Sequence, residues 1–142
     1  MATTVYSFAD VSLVISHPSV GKFTLTGEGL GSVAINRAND LTQHDVAADG
    51  SVMVSKVKTS NGTMAIAIQQ TSAAHTWLKK LTDYLMVAPT SEWAQASAIL
   101  SNPSVGETIS MSGVSPQKRA DSNYQQAGQQ VTWNLMAAVI DG

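Results

Sequence analysis

The sequence has no cysteine and few charged residues. The absence of cysteine excludes disulfides, thiolate nucleophiles and cysteine-ligated zinc, and it is compatible with a reducing cytoplasm. Eight basic and ten acidic side chains give a net charge of -2, so the chain lacks the basic excess of proteins that hold DNA or anionic membranes tightly. No basic segment precedes an apolar one at the amino terminus, and the longest clean apolar run, Leu135 to Ile140, is far too short to span a membrane. We therefore expect neither a signal peptide nor a membrane association.

Uncharged polar residues take the place of the missing charges. Charged residues make up 13% of the chain, about half of the usual proportion. The chain instead contains 17 Ser, 13 Thr, 9 Gln and 6 Asn. Charge is depleted in the buried cores of protein interfaces, so this composition favours a surface made for protein contacts. A Ser/Thr-rich monomeric sandwich, such as an extracellular binding module, fits the composition nearly as well. Either way, 142 residues with 44% hydrophobic content predict one globular domain over 1–142.

Alternation of apolar and polar residues predicts a mainly β fold. Half-buried strands are expected in the segments 11–15, 23–25, 33–35, 93–100, 108–114 and 131–139. The segments 52–54 and 64–68 also alternate, and they flank Asn61-Gly62, the dipeptide best suited to a type I′ turn. The sequence therefore predicts a hairpin across residues 52 to 70 and, overall, a two-sheet β-sandwich or barrel.

One amphipathic helix is expected at about residues 72–88. Apolar residues recur there at spacings of three and four: Ala74, Trp77, Leu78, Leu81 and Leu85. Ser72 is a plausible N-cap, and the helix should end before Pro89. We expect the apolar side, including Trp77, to pack on a sheet as a flanking helix.

A short internal repeat lies on either side of this helix. Pro18-Ser19-Val20-Gly21 recurs as Pro103-Ser104-Val105-Gly106, each time between two strand-like runs, and a glycine follows at similar distance, Gly27 or Gly113. Proline fixes φ and glycine admits the bend, so both copies should form the same reverse turn in two related hairpins.

Two segments interrupt the alternation, from Asn36 to Gly50 and from Ser115 to Gln130. Irregular segments of this length are unusual in a small domain and tend to be functional, so both are candidates for arms that reach a neighbouring molecule. The candidate contact residues in the first segment are Asn36, Arg37, Asp40, His44, Asp45 and Asp49.

No motif indicates catalysis, a metal or a cofactor. The three histidines, His17, His44 and His75, lack metal-ligand spacing, and each is expected to be a solvated or capping residue. No G-x-S-x-G elbow is present, and the run from Gly27 to Gly31 lacks the Lys-Ser/Thr of a phosphate loop, which favours a turn or bulge. We therefore predict a protein that is not an enzyme and binds no small molecule.

Two long stretches carry almost no charge. Gln129 to Ile140 contains neither charge nor proline, and Thr59 to Leu78 has His75 as its only titratable side chain. Exposed strand edges are usually protected by Lys, Pro or bulges. We interpret these stretches as unprotected edges that other subunits pair.

Several segments together resemble a known family. They are Val5-Tyr6-Ser7-Phe8-Ala9-Asp10-Val11, Ile15-Ser16-His17-Pro18, Gly27-Glu28-Gly29, and Gln69-Gln70-Thr71-Ser72-Ala73 leading into a Trp-Leu helix. In this order they resemble the tail tube proteins of contractile-tailed bacteriophages, which are related to type VI secretion and pyocin tubes. The resemblance implies a β-sandwich with one flanking helix, joined edge to edge into hexameric rings that stack into a hollow tube conducting DNA during ejection.

The same resemblance implies partners and a location. The segment from Asn36 to Gly50 would contact the adjacent ring, and the helix would lie outside or between subunits. Copies of the chain itself would be the main partner, followed by tail sheath, baseplate, tape measure and tail terminator proteins, and DNA would pass without specific binding. The protein would be part of the virion tail, assembled in the host cytoplasm. The alternative is a monomeric β-sandwich binding module, for instance for carbohydrate, with Trp93 or Tyr124 as a stacking platform.

Overall fold

The computed structural model describes residues 3, 5–26, 30–122 and 124–142. The expected turn or bulge that begins at Gly27, and the motif Gly27-Glu28-Gly29, fall mostly on residues outside this description. The chain forms ten strands and one α-helix within the described residues. They are β1 Ser12–His17, β2 Gly21–Leu25, β3 Leu30–Arg37, β4 Thr42–Val46, β5 Val52–Lys56, β6 Gly62–Gln69, α1 Ala73–Val87, β7 Ala96–Asn102, β8 Glu107–Lys118, β9 Gln130–Ala137 and β10 Val139–Asp141. Short 3-10 helices, Phe8–Asp10 and Thr90–Glu92, precede β1 and β7.

The strands form an open two-sheet sandwich, as the alternation predicts. The hydrogen-bonded order is β2-β1-β7-β8-β9-β6-β3, with β10 paired to β8. Strand β8 belongs to both sheets: its first half pairs with β7, and its end, from Ser115 to Lys118, pairs with β9. The order begins at β2 and ends at β3, and these two strands do not pair with each other. Each therefore keeps an edge whose backbone groups can pair with another strand.

Alternate residues of the strands build the core between the sheets. The largest fully buried side chains come from both sheets and the helix and include Leu13, Ile15, Ile66, Leu81 and Trp133. Burying an Ile or Leu side chain contributes roughly 1.5–3 kcal/mol, so these rows dominate the stability of the sandwich.

The helix packs on the sandwich as its apolar spacing predicts. Ser72 is its N-cap, with the side-chain oxygen accepting a hydrogen bond from the His75 backbone N–H at 3.3 Å. Trp77 packs against Phe23 of β2 with ring centroids 5.8 Å apart. At its other end, Tyr84 meets His17 edge-on at 5.7 Å. The helix thus contacts both strands of the β1–β2 hairpin.

The predicted hairpin across residues 52 to 70 is wrong. β6 is paired by β3 on one side and by β9 on the other, so it has no free edge for β5, which pairs with β4 instead. A type I′ turn needs positive φ at both central residues, and neither Asn61 nor Gly62 has one. Glycine is required at 62 for a different reason: a Cβ there would clash with the backbone carbonyl oxygen of Asn36 on β3.

Three further expectations need correction. The strand predicted at 93–100 begins only at Ala96, because Trp93 closes a 3-10 turn and Ala94 has a φ of +64°. The first irregular segment contains the end of β3 and all of β4, and the second begins inside β8. The uncharged stretches lie mainly on interior strands. β6 is paired along its length by β3 and β9, and β9 is paired along its length by β6 but by β8 only at Asn134–Met136, so only the first half of β9 lacks a strand partner on one side among the described strands.

Candidate assembly interface

Strands β4 and β5 follow β3 and precede β6 in the sequence, and they form a separate two-stranded sheet. Every residue of both strands is exposed. We call residues 38–61 the arm. At its base, the Ala38 N–H donates to the Asn61 carbonyl at 3.1 Å, and the Asn39 side-chain amide donates to the Asn61 side-chain oxygen at 3.1 Å. Each strand is five residues long, so the paired strands extend about 16 Å at about 3.3 Å per residue.

The tip of the arm is a tight turn built around Asp49. Its carboxylate accepts hydrogen bonds from the Ser51 hydroxyl and from the Ser51 backbone N–H, the latter at 2.9 Å. These two bonds lower the pKa of Asp49, with the hydroxyl bond contributing most. Gly50 follows with a φ of +89°, a conformation that glycine adopts without strain. Asp49 therefore orders the turn.

Both faces of the arm expose apolar side chains. Val46 pairs with Val52, and His44 pairs with Val54, so the three valines share one face of the two-stranded sheet. They are 65%, 51% and 61% exposed, in chain order. Leu41 and Met53 are also exposed. An isolated two-stranded hairpin is marginally stable in water, and exposed apolar rows favour contact with another protein surface.

The six predicted contact residues separate into two groups. Asp40, His44, Asp45 and Asp49 belong to the arm, whereas Asn36 and Arg37 lie in β3, paired with Thr63 and Gly62 of β6. The Arg37 guanidinium donates to the Gly142 carbonyl at 3.1 Å, which holds it against the carboxyl terminus.

Sequence reasoning predicted a strand at 52–54 but paired it with 64–68, and so it missed that Val52, Met53 and Val54 belong to the arm. The missed signal is Asp49-Gly50, a hairpin dipeptide between Val46 and Val52 that competes with Asn61-Gly62.

Two of the three histidines are less solvated than expected. His17 is buried, with Nδ1 accepting from the Ser19 backbone N–H at 3.1 Å and Nε2 donating to the Glu92 carbonyl at 3.0 Å. His75 is half-buried, and its Nδ1 accepts from Trp133 Nε1 at 3.0 Å. Burial lowers the pKa of His75, and the charge of Lys79 lowers it further. Only His44 is exposed. The imidazoles of His17 and His75 form hydrogen bonds between separate elements of the fold.

The outward faces of β3, β6 and β9 carry no charged residue. The side chains that alternate with the buried ones are Ser32, Ala34, Asn36, Thr63, Ala65, Ala67, Gln69, Gln130, Thr132, Asn134 and Met136. This continuous surface of uncharged groups costs little to desolvate compared with a charged one. It is the type of surface that the composition of the chain predicts.

Two of the surface clefts are lined by no titratable side chain. A cleft of about 360 Å³ lies where β2, the start of β3 and the start of the helix meet, and a second, of about 310 Å³, is lined mainly by glutamine side chains. Within the described part of the chain, no group of three or more His, Asp or Glu residues could hold a metal ion. No helix in that part is both long and apolar enough to cross a membrane.

Comparison with known proteins gives the class and then the family. The fold matches structural components of contractile injection systems. Over all 142 residues, the sequence also matches the family model described as Bacteriophage PhiTE tail tube protein, and the chain belongs to that family. No curated protein matches the sequence. The chain is accordingly a structural component of a phage tail tube and not an enzyme, as the sequence predicts.

The similar solved structures are distant in sequence. A chain in the anti-feeding prophage baseplate, 6-fold symmetrised, has a TM-score of 0.64 at 11% identity, covering 99% of this chain and 96% of its own. A chain in the anti-feeding prophage cap, a tube terminating cap, has a TM-score of 0.60 at 9% identity, covering 99% and 92%. A chain in the PVC sheath-tube complex in the extended state has a TM-score of 0.56 at 13% identity, covering 91% and 86%. At such identities these likenesses establish the fold.

Proposed function

We propose that this chain assembles into hexameric rings, that the rings stack through the arm into a hollow tube, and that the tube conducts DNA during ejection from a contractile tail. The observation that carries the proposal is the arm itself. It is two paired strands that expose apolar side chains on both faces, beyond a sandwich that is complete without them. A segment of this kind is stabilised by burial against another molecule.

The lateral contacts of a ring would use the open sheet edges and the uncharged faces. β2 and β3 each end the hydrogen-bonded order, so each can add a strand from a neighbour. A contact between two different surfaces of identical chains closes into a ring, and an axial step between rings gives a filament. Axial contacts then fall to the arm, with Asp40, His44 and Asp45 as its exposed polar contacts.

The charge of the chain suits a conduit. Six copies at -2 each give about -12 per ring, a net charge that opposes nonspecific binding of DNA. Sheath, baseplate, tape measure and terminator proteins of the tail are the further partners that this role requires, with assembly in the host cytoplasm before the virion is complete. The alternative of a monomeric binding module with Trp93 or Tyr124 as a platform loses its basis, because the family is a tube family.

Removing the arm tests the proposal. Arg37 pairs with Gly62 across the β3–β6 ladder, so replacing residues 38–61 with Asn-Gly leaves a two-residue hairpin connection between strands already in register. We expect the variant to fold and to melt near the parent, because it keeps every core side chain and loses one backbone hydrogen bond to the core, from the Ile140 N–H to the Ser60 carbonyl. It should still form rings but not tubes, as judged by negative-stain microscopy and light scattering.

The parent protein provides the control. It should form rings or tubes at high concentration. A parent that stays a monomer near 14.9 kDa at every concentration would refute the assembly role. An armless variant that makes long tubes would show that another element stacks the rings, and one that unfolds would show that the arm belongs to the core.

A further inference from the structure

The two Pro-Ser-Val-Gly turns belong to a longer repeat. Ser12–Gly21 and Ser97–Gly106 share serine at the first and fifth positions, three apolar residues between them, and the four-residue turn. In both copies this stretch is a strand followed by its hairpin turn, β1 into β2 and β7 into β8. The turn glycine has positive φ in both, +109° at Gly21 and +72° at Gly106.

The two copies are related by a local two-fold axis. β1 and β7 are antiparallel neighbours, and Val14 faces Ile99, its own counterpart in the repeat. On either side of this pair, serine faces serine: Ser12 opposite Ser101, and Ser16 opposite Ser97 at 3.1 Å between hydroxyl oxygens. Such a pairing is what a two-fold axis through Val14 and Ile99 produces.

Contacts outside the strands follow the same symmetry. Ser19, in the first turn, donates to the carboxylate of Glu92 at 3.1 Å. Ser104, in the second turn, donates to the carboxylate of Asp10 at 3.1 Å. Asp10 and Glu92 each end the 3-10 helix that precedes one copy of the repeat. Each turn is therefore tied to the carboxylate that belongs to the other half.

The symmetry extends to both sheets. One sheet has the order β2-β1-β7-β8, and the other has the order β8-β9-β6-β3. Reversing the strand order of each sheet exchanges equivalent strands: β7 takes the place of β1, and β9 takes the place of β6. Strand β8 takes the place of β2 in one sheet and of β3 in the other, so it corresponds to β2 and β3 together. β3 leads through the arm into β6, and β8 leads through residues 119–129 into β9. The counterpart of the arm is therefore Arg119–Ser122 with Tyr124–Gln129, which we call the counter-segment.

The arm and the counter-segment leave opposite ends of the same sheet. In the β6–β9 ladder, Gly62 faces Ala137 and Gln69 faces Gln130, so β6 begins where β9 ends. The arm joins the sheet at Gly62, and the counter-segment joins it at Gln130. If copies stack head to tail along these strands, the end of the sheet that carries the arm in one copy faces the end that carries the counter-segment in the next.

We propose that the counter-segment is the docking surface for the arm of a second copy of this chain. This inference rests on the proposed function, since it names the surface on which the arm stacks. The distal arm, 42–52, carries Asp45 and Asp49 and no Lys or Arg. Lys118, the last residue of β8, and Arg119, the first residue of the counter-segment, are both exposed. Lys118 pairs with Asp121 at 3.2 Å and Arg119 with Asp83 of the helix, and because both cations stay exposed, each can also contact a carboxylate of the arm.

The counter-segment also offers an apolar contact beside two side-chain anchors. Tyr124 is 85% exposed and provides a ring for the valine face of the arm. The Arg119 guanidinium is held by Asp83 of the helix at 2.7 Å, and the Gln129 amide donates to the Gln125 side-chain oxygen at 2.8 Å. These contacts restrain the two ends of the counter-segment before a partner binds, which lowers the ordering cost of binding.

Cysteine cross-linking tests the contact, and the absence of native cysteine makes it clean. The test variant carries Ala48→Cys at the arm tip and Gln126→Cys in the counter-segment, both at exposed positions. A short, flexible thiol-reactive cross-linker removes dependence on one pairing geometry. We expect a ladder of covalent oligomers on denaturing gels from assembled protein, because each copy links to the next. Each single variant should give dimers at most.

The control pairs Ala48→Cys with Met86→Cys, an equally accessible position on the helix. It should yield no ladder. Tubes that form by microscopy but give no ladder with Gln126→Cys, or a ladder with the Met86→Cys pair instead, would overturn the docking surface while leaving the tube intact. Protein that forms neither rings nor tubes would refute the proposed function, and the docking surface would fall with it.

Discussion

Strands β5 and β6 have similar local sequences and opposite surroundings. Both alternate apolar with other side chains, Val52 and Val54 in β5 against Ile66 and Ile68 in β6. β6 lies between two strands with its apolar row in the core, whereas all of β5 is exposed on the arm. The difference shows that alternation specifies a face that needs burial without specifying what buries it. In β6 the chain supplies the cover; in β5 we propose that another copy does.

The largest effect expected from this comparison is on stability. Ile66→Ala removes a fully buried side chain and should lower the free energy of unfolding by about 2–5 kcal/mol. Val54→Ala removes methyl groups that are already in water and should change it by less than about 0.5 kcal/mol. Both are measured by chemical denaturation, followed by circular dichroism, at a concentration where light scattering gives the monomer mass. A loss above about 1 kcal/mol for Val54→Ala would place the arm in the core of the monomer.

A smaller effect is pH dependence from His75, expected only in the body of the molecule, by which we mean the two sheets and the helix without the arm. Trp133 Nε1–H donates to Nδ1 of His75, so protonation of that nitrogen breaks the bond. Burial, assisted by Lys79, lowers the folded pKa of His75 below that of the unfolded chain, about 6.5. The unfolded state then binds more protons in this range, so stability is fully present above about 6.5 and is lost as pH falls toward the folded pKa.

Glutamine variants separate the two regions. His75→Gln keeps a side-chain oxygen that can accept from Trp133 but removes the titration, so stability between pH 8 and pH 5.5 should become flatter than in the parent. His44→Gln, on the exposed arm, should leave the profile unchanged. The measurement is thermal melting of the dissociated protein across this pH range. A profile flattened equally by both substitutions would contradict the assignment to His75.

Much of the body could be predicted from sequence, because local patterns and local contacts coincide there. The helix, its Ser72 cap and the two Pro-Ser-Val-Gly turns are each determined within a few residues, and the structure confirms them. Pairing partners are not local. Asn61-Gly62 favours a tight hairpin turn locally, but β5 cannot pair with β6, because β3 and β9 already pair with both sides of β6.

The arm could be predicted only in part for the same reason. Its first strand, Thr42–Val46, contains mostly polar residues, because nothing in the monomer covers it. A strand that meets no core lacks the apolar row that sequence analysis looks for. Missing charge does not by itself mark subunit contact: in β6 and in the second half of β9 it accompanies pairing within the chain. The assignment of the six contact residues remains a prediction.

The smallest expected effect is confined to the tip of the arm. Asp49→Ala removes the acceptor of both hydrogen bonds from Ser51, so the turn between Val46 and Val52 should open more often. The melting temperature of the monomer should not change measurably, since the strands on either side of this turn are fully exposed. Hydrogen exchange should accelerate at the Ala47 amide, which donates to the Ser51 carbonyl at 2.8 Å, and stay unchanged in β6. Asp49→Asn, which keeps a side-chain acceptor, should restore part of the protection. If exchange in β6 rose together with that at Ala47, the arm and body would open as one cooperative unit, and the separation on which the comparison of β5 with β6 depends would be wrong.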